Sequence, residues 1–456
     1  MKTAASIPLA PGSLPLLGHA LPLVRDPLAF VSSLPAHGEM VRLRLGTRSV
    51  VMVCDANLTR RTLLEDHVFD KGGPLYERIR ELVGDGLVSC PHSRHRRQRR
   101  LCQPAFRPDR LPHYAPAFTS SAEAASRSWH DGQVIDVTTE MMALTARIAV
   151  ETMFTTGLPP EAAQTIIVDI NALMETLLWR AIRPSVLERL PGVANHRYDR
   201  ARARLRHTID SVTADRRNDP ADHGDLLSSL QNAEGTEDAK RTEDPANPAA
   251  DREGLAGREL TDQILTFFFA GTETTSNTLA WALYLLAAHP EVESRLSSET
   301  DRVLAGATAT FADLPALEMA RHVIMETLRL YPPAWLVTRT VAEDTELGGI
   351  RLPTGAAIAF SPYLIHRRPG LYETPDHFDP DRWRRTHPDR AAYLPFGSGA
   401  RKCIGARFAM AEAVLALVTL TARWRLVRLT DRPVRPFAKS TLSPRGLRMR
   451  VTARHA

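Results

Sequence analysis

The sequence predicts a mainly α-helical fold with small β-sheets, on three observations. From roughly Ser93 onward, apolar residues recur at spacings of three and four, the period of an amphipathic helix. Nearer the N-terminus, a strand-rich part at about 36–60 alternates apolar and polar residues instead. A second strand-rich patch at 347–360 is punctuated by Gly348-Gly349 and Pro353-Thr354-Gly355. The 456 residues exceed the usual limit of one core, yet no linker separates two self-sufficient halves. A single domain over 1–456 is therefore expected.

In the N-terminal part, 40–45 reads as a strand, Gly46-Thr47-Arg48 as a turn and 50–53 as a second strand. The helical body covers about 93–331. Within it, 137–154 sets Met141, Leu144, Ile148 and Val150 among polar spacers, with Asp136 suited to cap the start. Between two helical blocks, 232–257 is dominated by Glu, Asp, Ala, Pro and Gly, the composition of a flexible, solvated loop. Beyond it, 261–288 reads as one long helix closed by His289-Pro290.

The middle of that helix is unusual: Phe267-Phe268-Phe269-Ala270-Gly271-Thr272-Glu273-Thr274-Thr275. Glycine inside a helix costs about 1 kcal/mol against alanine, and threonine is also a poor helix former. The helix is therefore expected to open here and free a carbonyl for a small ligand or water. Thr266, Phe269, Ala270 and Thr274 fall on one face.

Charge and cysteine content exclude several classes. The 58 basic and 52 acidic residues leave a net charge of +6, which alone implies no nucleic-acid partner. The arginines of 92–100 come with no nucleic-acid-binding motif or aromatic platform. Cys54, Cys90, Cys102 and Cys403 show no C-x-x-C spacing, which argues against structural zinc and fits a reducing, cytoplasmic setting. Pro8, Pro11, Pro15 and Pro22 interrupt the apolar N-terminus, so neither a membrane span nor an anchor is expected, and the chain reads as soluble.

Cys403 carries the chemistry. It lies in Phe396-Gly397-Ser398-Gly399-Ala400-Arg401-Lys402-Cys403-Ile404-Gly405, the loop 396–405. Adjacent cations favour thiolate, the form that ligates metal. A single thiolate on haem iron pushes electron density toward O–O cleavage. A structural cysteine would need neither the glycine spacing nor the arginine.

This stretch matches F-x-x-G-x-R-x-C-x-G at every fixed position and resembles the cysteine-ligand signature of the cytochrome P-450 family. Residues 270–275 resemble that family's A-G-x-[D/E]-T-T, Glu326 and Arg329 its E-x-x-R, and 378–383 its F-x-P-x-R-W. His95 and Arg99, followed by Pro104-Ala105-Phe106, match its H-x-x-x-R element. The resemblance implies the cytochrome P-450 fold, with haem b between a long central helix and the cysteine-ligand loop. It makes Cys403 the axial ligand and puts Phe396 near the sulfur. It sets His95, Arg99, Arg339 and Arg401 as cations for the propionates. Glu273 then gates protons, Thr274 hydrogen-bonds the oxygen being activated, and Glu326, Arg329 and Arg382 form a structural clamp. By the same resemblance the reaction is monooxygenation, inserting one oxygen atom of O2 into a C–H bond of a hydrophobic small molecule.

No flavin or iron–sulfur motif is present, so NAD(P)H-derived electrons are expected through a ferredoxin and ferredoxin reductase. Arg96, Arg97, Arg100, Lys402 and Arg407 offer a basic surface to such an acidic carrier. The resemblance puts the substrate pocket at 76–80, at Thr266, Phe269 and Ala270, at Trp335, Leu336 and Val337, and near Thr441 and Leu442. Most of these are apolar, although Tyr76, Glu77 and Arg78 offer polar contacts from a loop. A looser resemblance, over 14–46, 70–106 and 338–363, is to actinobacterial sesquiterpene oxygenases acting on pentalenene or epi-isozizaene. It points to a cyclic sesquiterpene, with successive oxidations at one carbon. Fatty acids, polyketides and other secondary metabolites are the alternatives. A peroxide-driven enzyme and a non-catalytic haem sensor or carrier are opposed by the Glu273–Thr274 pair.

Overall fold

The structure is a computed structural model that describes residues 2–155, 160–182, 193–217, 221–231, 255, 257–386, 388–438 and 440–454. The loop expected over 232–257 lies outside the described residues except for Leu255 and Gly257. The described chain is mainly helical, with four small sheets among its strands. It clusters into two compact units, each drawn from three chain segments.

The first unit comprises Met1–Glu77, Met325–Cys403 and Pro436–Ser443. Its five-stranded sheet runs in the order Met40–Leu45, Arg48–Val53, Ala357–Phe360, Val337–Val341, Phe69–Asp70. The first two strands pair antiparallel with Leu45 opposite Arg48, so the turn holds only Gly46 and Thr47. Arg48, expected in the turn, thus opens the second strand, because Gly46 at φ 61° closes a two-residue hairpin. The patch at 347–360 resolves into a hairpin of Thr345–Leu347 with Ile350–Leu352, followed by Ala357–Phe360. Met52, Val53, Ile358 and Phe360 lie in one buried apolar core with Leu34, Phe69 and Leu347. Met52 and Val53 are consecutive and point to opposite faces, so the end of this strand is covered on both sides.

The second unit comprises Arg78–Ile324, Ile404–Arg435 and Pro444–Ala456. Its axis is the 31-residue helix Arg258–Ala288, packed against Val137–Met153. Asp136 caps the latter by accepting from the Thr139 amide at 3.0 Å. Helix Ala406–Arg423 packs on Leu111–Ser128, where Phe408 meets the Phe118 ring at 4.8 Å and the Tyr114 ring at 5.7 Å. Among the described residues, no helix is long and apolar enough to cross a membrane.

The expected opening of the long helix does not occur: it is uninterrupted through Gly271. The threonine hydroxyls find partners without breaking the helix. Thr272 donates to the Phe268 carbonyl at 2.7 Å and Thr274 to the Ala270 carbonyl at 2.6 Å. Thr145, on the neighbouring helix, donates to the Thr272 carbonyl at 3.0 Å. Poor propensity is outweighed by burial of most of the helix surface.

Candidate functional site

Cys403 ends the first unit on an exposed turn, whereas Cys54, Cys90 and Cys102 are buried. Burial pushes the Cys54 thiol up to about 12 and raises the Cys102 thiol as well, so both stay protonated. Of the four cysteines, only Cys403 is exposed. The turn is closed by the Cys403 amide donating to the Phe396 carbonyl at 2.9 Å. Gly399 has a positive φ of 69°, and a Cβ there would lie 2.3 Å from the Leu63 carbonyl oxygen. Only glycine lets the loop pass that backbone.

Behind the loop stands a buried ionic cluster. Arg329 donates from Nε and Nη2 to the two Glu326 oxygens at 2.9 and 2.8 Å. Its remaining N–H groups reach the carbonyls of His366, Pro375 and His377. Arg382 donates to Glu326 at 3.4 Å and to the Glu373 carbonyl at 2.7 Å. The Trp383 indole and the Asp379 amide both donate to Glu326 at 3.1 Å. The Tyr372 ring lies 5.0 Å from the Arg329 guanidinium and 5.7 Å from that of Arg382. The structure thus brings the three expected clamp residues together with Trp383 of the same motif and adds Tyr372 and His366, which the sequence motifs did not include.

His366 links the cluster to the cysteine loop. The Leu394 amide donates to its Nε2 at 2.8 Å, which leaves Nδ1–H to donate to the Arg329 carbonyl at 3.1 Å. Burial holds this ring neutral, with a pKa lowered to about 3. The Leu394 carbonyl in turn accepts from the Gly397 amide at 3.0 Å. A run of hydrogen bonds therefore leads from Glu326 to the backbone that presents Cys403.

The four expected propionate cations lie in different settings. Arg401, its side chain 1% exposed, donates to Asp66 at 3.2 Å and to Asp70 at 2.7 Å. Neither aspartate was indicated by a motif. Arg339 is buried; it donates to the Thr338 carbonyl and the Tyr76 hydroxyl, and its Nε has no hydrogen-bond partner. In the second unit, His95 is buried and Arg99 half-buried, one turn apart on helix His92–Cys102.

On the long helix, Glu273 is buried and Thr274 half-buried. Ala270 stands exposed in the middle of this otherwise covered helix, and a Cβ on the adjacent Gly271 would meet nothing within 4 Å. Thr266 is buried with its hydroxyl oxygen unpartnered, and Phe269 is buried beside it. Thr275 donates to Glu412 of helix Ala406–Arg423 at 3.2 Å. Burial raises the Glu412 carboxyl to about 8, so it is mostly neutral at pH 7. No motif marked Glu412.

Of the remaining expected residues, Trp335 and Leu442 sit in the core of the first unit, with Leu336 and Val337 packed against it. Tyr76, Glu77 and Arg78 lie in helix Pro74–Val83, not in a loop, and Arg78 pairs with Glu81 at 2.7 Å. Arg97 is half-buried and bound to Glu259 at 2.7 Å. Arg96 and Arg407 in the second unit, and Lys402 in the first, are exposed.

These features fit a haem. In the first unit the exposed Cys403 can supply a ligand and the unsatisfied Arg339 Nε a donor for a carboxylate; in the second, the long helix leaves Ala270 exposed beside Gly271. The comparisons with known proteins agree. The family model for Cytochrome P450 matches residues 8–449. Cyclooctatin synthase of Streptomyces melanosporofaciens is 43% identical over 97% of this chain and 94% of its own length. Pentalenene oxygenase of Streptomyces avermitilis is 42% identical over 98% of this chain and 97% of its own. The crystal structure of cytochrome P450DA heme domain superposes with a TM-score of 0.85 at 28% identity, covering 98% of both chains.

Proposed function

This chain belongs to the cytochrome P450 family, a haem-thiolate monooxygenase that oxidises a hydrophobic small molecule, and we propose that its substrate is a cyclic terpene. Haem b, when bound, supplies the O2 activation that puts one oxygen atom into a C–H bond.

Cys403 is the residue proposed to hold the haem iron, and its exposure, where the other three cysteines are buried, is the observation that carries the reading. Phe396 accepts the Cys403 amide and so sets the turn around the sulfur. Arg339, with its unpartnered Nε, is proposed to bind a propionate, together with His95 and Arg99. Arg401 is proposed to share its charge between a propionate and the Asp66–Asp70 pair. Glu326, Arg329 and Arg382 hold the loop from behind and take no part in chemistry.

Glu273 and Thr274 are the proposed proton-handling pair. A hydroxyl has one donor and two acceptor positions, so Thr274 accepts on one side while donating to Ala270 on the other. Glu273, one residue away and buried, is the acid that replenishes it. Phe269, Ala270, Trp335, Leu336, Val337 and Leu442 are proposed to give the substrate an apolar surround, with Thr266 as its polar contact. The names of the two Streptomyces relatives, pentalenene oxygenase and cyclooctatin synthase, support the terpene class. Electrons are proposed to come from NAD(P)H through a ferredoxin and its reductase, drawn to exposed cations such as Arg96, Lys402 and Arg407.

The test is an optical titration of the purified holoenzyme with cyclic terpenes, fatty acids and macrolides. A high-spin shift with cyclic terpenes, and oxygenated product with a ferredoxin system, are expected. Shifts with fatty acids alone would overturn the terpene assignment.

A further inference from the structure

Half of the exposed large apolar side chains among the described residues come from one short stretch of the first unit. Leu9, Leu14, Leu16, Leu17, Leu21 and Val24 make up six of twelve, and Leu16 is 91% exposed. Such a cluster is costly in water and marks an interaction surface.

The cluster is held outward by well-defined structure. Leu14 and Gly18 exchange both backbone hydrogen bonds at 2.9 Å, and Leu16, at the tip between them, has a positive φ of 63°. That conformation is disfavoured for a branched side chain and persists only when its surroundings impose it. The imposing contacts are visible. A Cβ at Gly18 would lie 2.2 Å from the Arg44 carbonyl oxygen, so the turn is pressed onto strand Met40–Leu45. His19 is buried beneath it, accepting from the Arg44 amide at 2.9 Å and bonding the Ala10 carbonyl at 2.8 Å. The next helix, Ala20–Arg25, carries Leu21 and Val24 three residues apart on one face.

The rim is basic. Arg25, Arg44 and Arg48 are exposed. Residues 9–48 hold four arginines against two acids, Asp26 and Glu39, and Asp26 is engaged as a helix cap by the Ala29 amide. Protein interfaces concentrate aromatic residues and methionine at their centres, and leucine is under-represented among their energetic anchors. A patch of leucine and valine ringed by exposed arginines suits an anionic lipid headgroup boundary instead.

We propose that the 9–24 protrusion seats on an anionic lipid bilayer, with Leu14, Leu16, Leu17, Leu21 and Val24 below the headgroups and Arg25, Arg44 and Arg48 on lipid phosphates. The contact is peripheral and does not depend on which molecule the enzyme oxidises. The test is co-sedimentation of the full-length holoenzyme with vesicles of phosphatidylcholine alone or mixed with phosphatidylglycerol. Binding is expected to the mixed vesicles and to weaken with salt. Leu16→Asp/Leu17→Asp should lower it about tenfold or more, and Arg44→Glu/Arg48→Glu should remove the preference for phosphatidylglycerol. Both variants should keep the spectrum of the reduced carbonyl adduct. Leu21→Asp/Val24→Asp provides a second apolar variant should the first fail to fold. Equal sedimentation of wild type and the apolar variants would overturn the proposal. So would wild-type dimers, without lipid, that become monomers on Leu16→Asp/Leu17→Asp, because the face would then join two copies of this chain.

Discussion

Three single residues, Thr274, Glu412 and Asp66, show how neighbours set chemical roles. Thr274 has its proton committed to the Ala270 carbonyl, so its oxygen is the part available to a ligand. Thr274→Ala should keep substrate affinity but divert reducing equivalents to peroxide. Product formed per NAD(P)H, measured beside peroxide release, should fall about tenfold or more; unchanged coupling would remove Thr274 from proton handling. Glu412 has its ordinary value of 4.5 raised to about 8 by burial. Between these pH values the folded chain holds a proton that the unfolded chain has released, so stability declines as pH rises through the window. Glu412→Gln, which mimics the neutral acid, should flatten that decline in Tm measured from pH 5 to 8. Asp66 shares Arg401 with Asp70, and the pair offsets the guanidinium charge. Asp66→Asn should leave the Arg401 charge less offset and raise the haem reduction potential, read by spectroelectrochemistry; an unchanged potential would make the pair purely structural.

At the scale of elements, the clamp and the cysteine turn act together. Glu326 accepts from Arg329, Arg382, Trp383 and the Asp379 amide, so Glu326→Gln strands buried cations. The expected cost is about 3–5 kcal/mol, seen in denaturant unfolding and as loss of haem on purification. His366 is the joint between clamp and turn. With its pKa lowered to about 3, it stays neutral while an unfolded chain takes up a proton below its ordinary 6.5. Stability is therefore lost as pH falls from 6.5 toward 3, and replacing His366 with glutamine should remove this acid-side slope. The long helix makes a related point. Its glycine and threonines look like a break in isolation, and packing against Val137–Met153 keeps them helical.

For the whole molecule, much of the fold was legible because its signals are local. Strand alternation at 40–45, the cap at Asp136 and the proline after His289 each act within a few residues. Likewise, the chemistry around Cys403 is concentrated in ten consecutive positions. Less legible were residues whose partners are distant along the chain. Arg401 meets Asp66 across 335 positions, Thr275 meets Glu412 across 137, and His366 reaches Leu394 across 28. No periodicity encodes such pairs, since they depend on how separate segments pack. Nor did sequence show that, among the arginines of 92–100, Arg97 pairs with Glu259 and Arg94 with Asp85.

By itself, then, the sequence determined the fold class and the family, because each follows from short-range spacing and side-chain chemistry. Tertiary structure alone decided which aspartates restrain Arg401, which histidine braces the cysteine turn, that the long helix stays closed, and that six apolar side chains near the N-terminus face outward. The physical reason is burial: desolvation and hydrogen-bond partnership exist only once distant segments have been brought into contact.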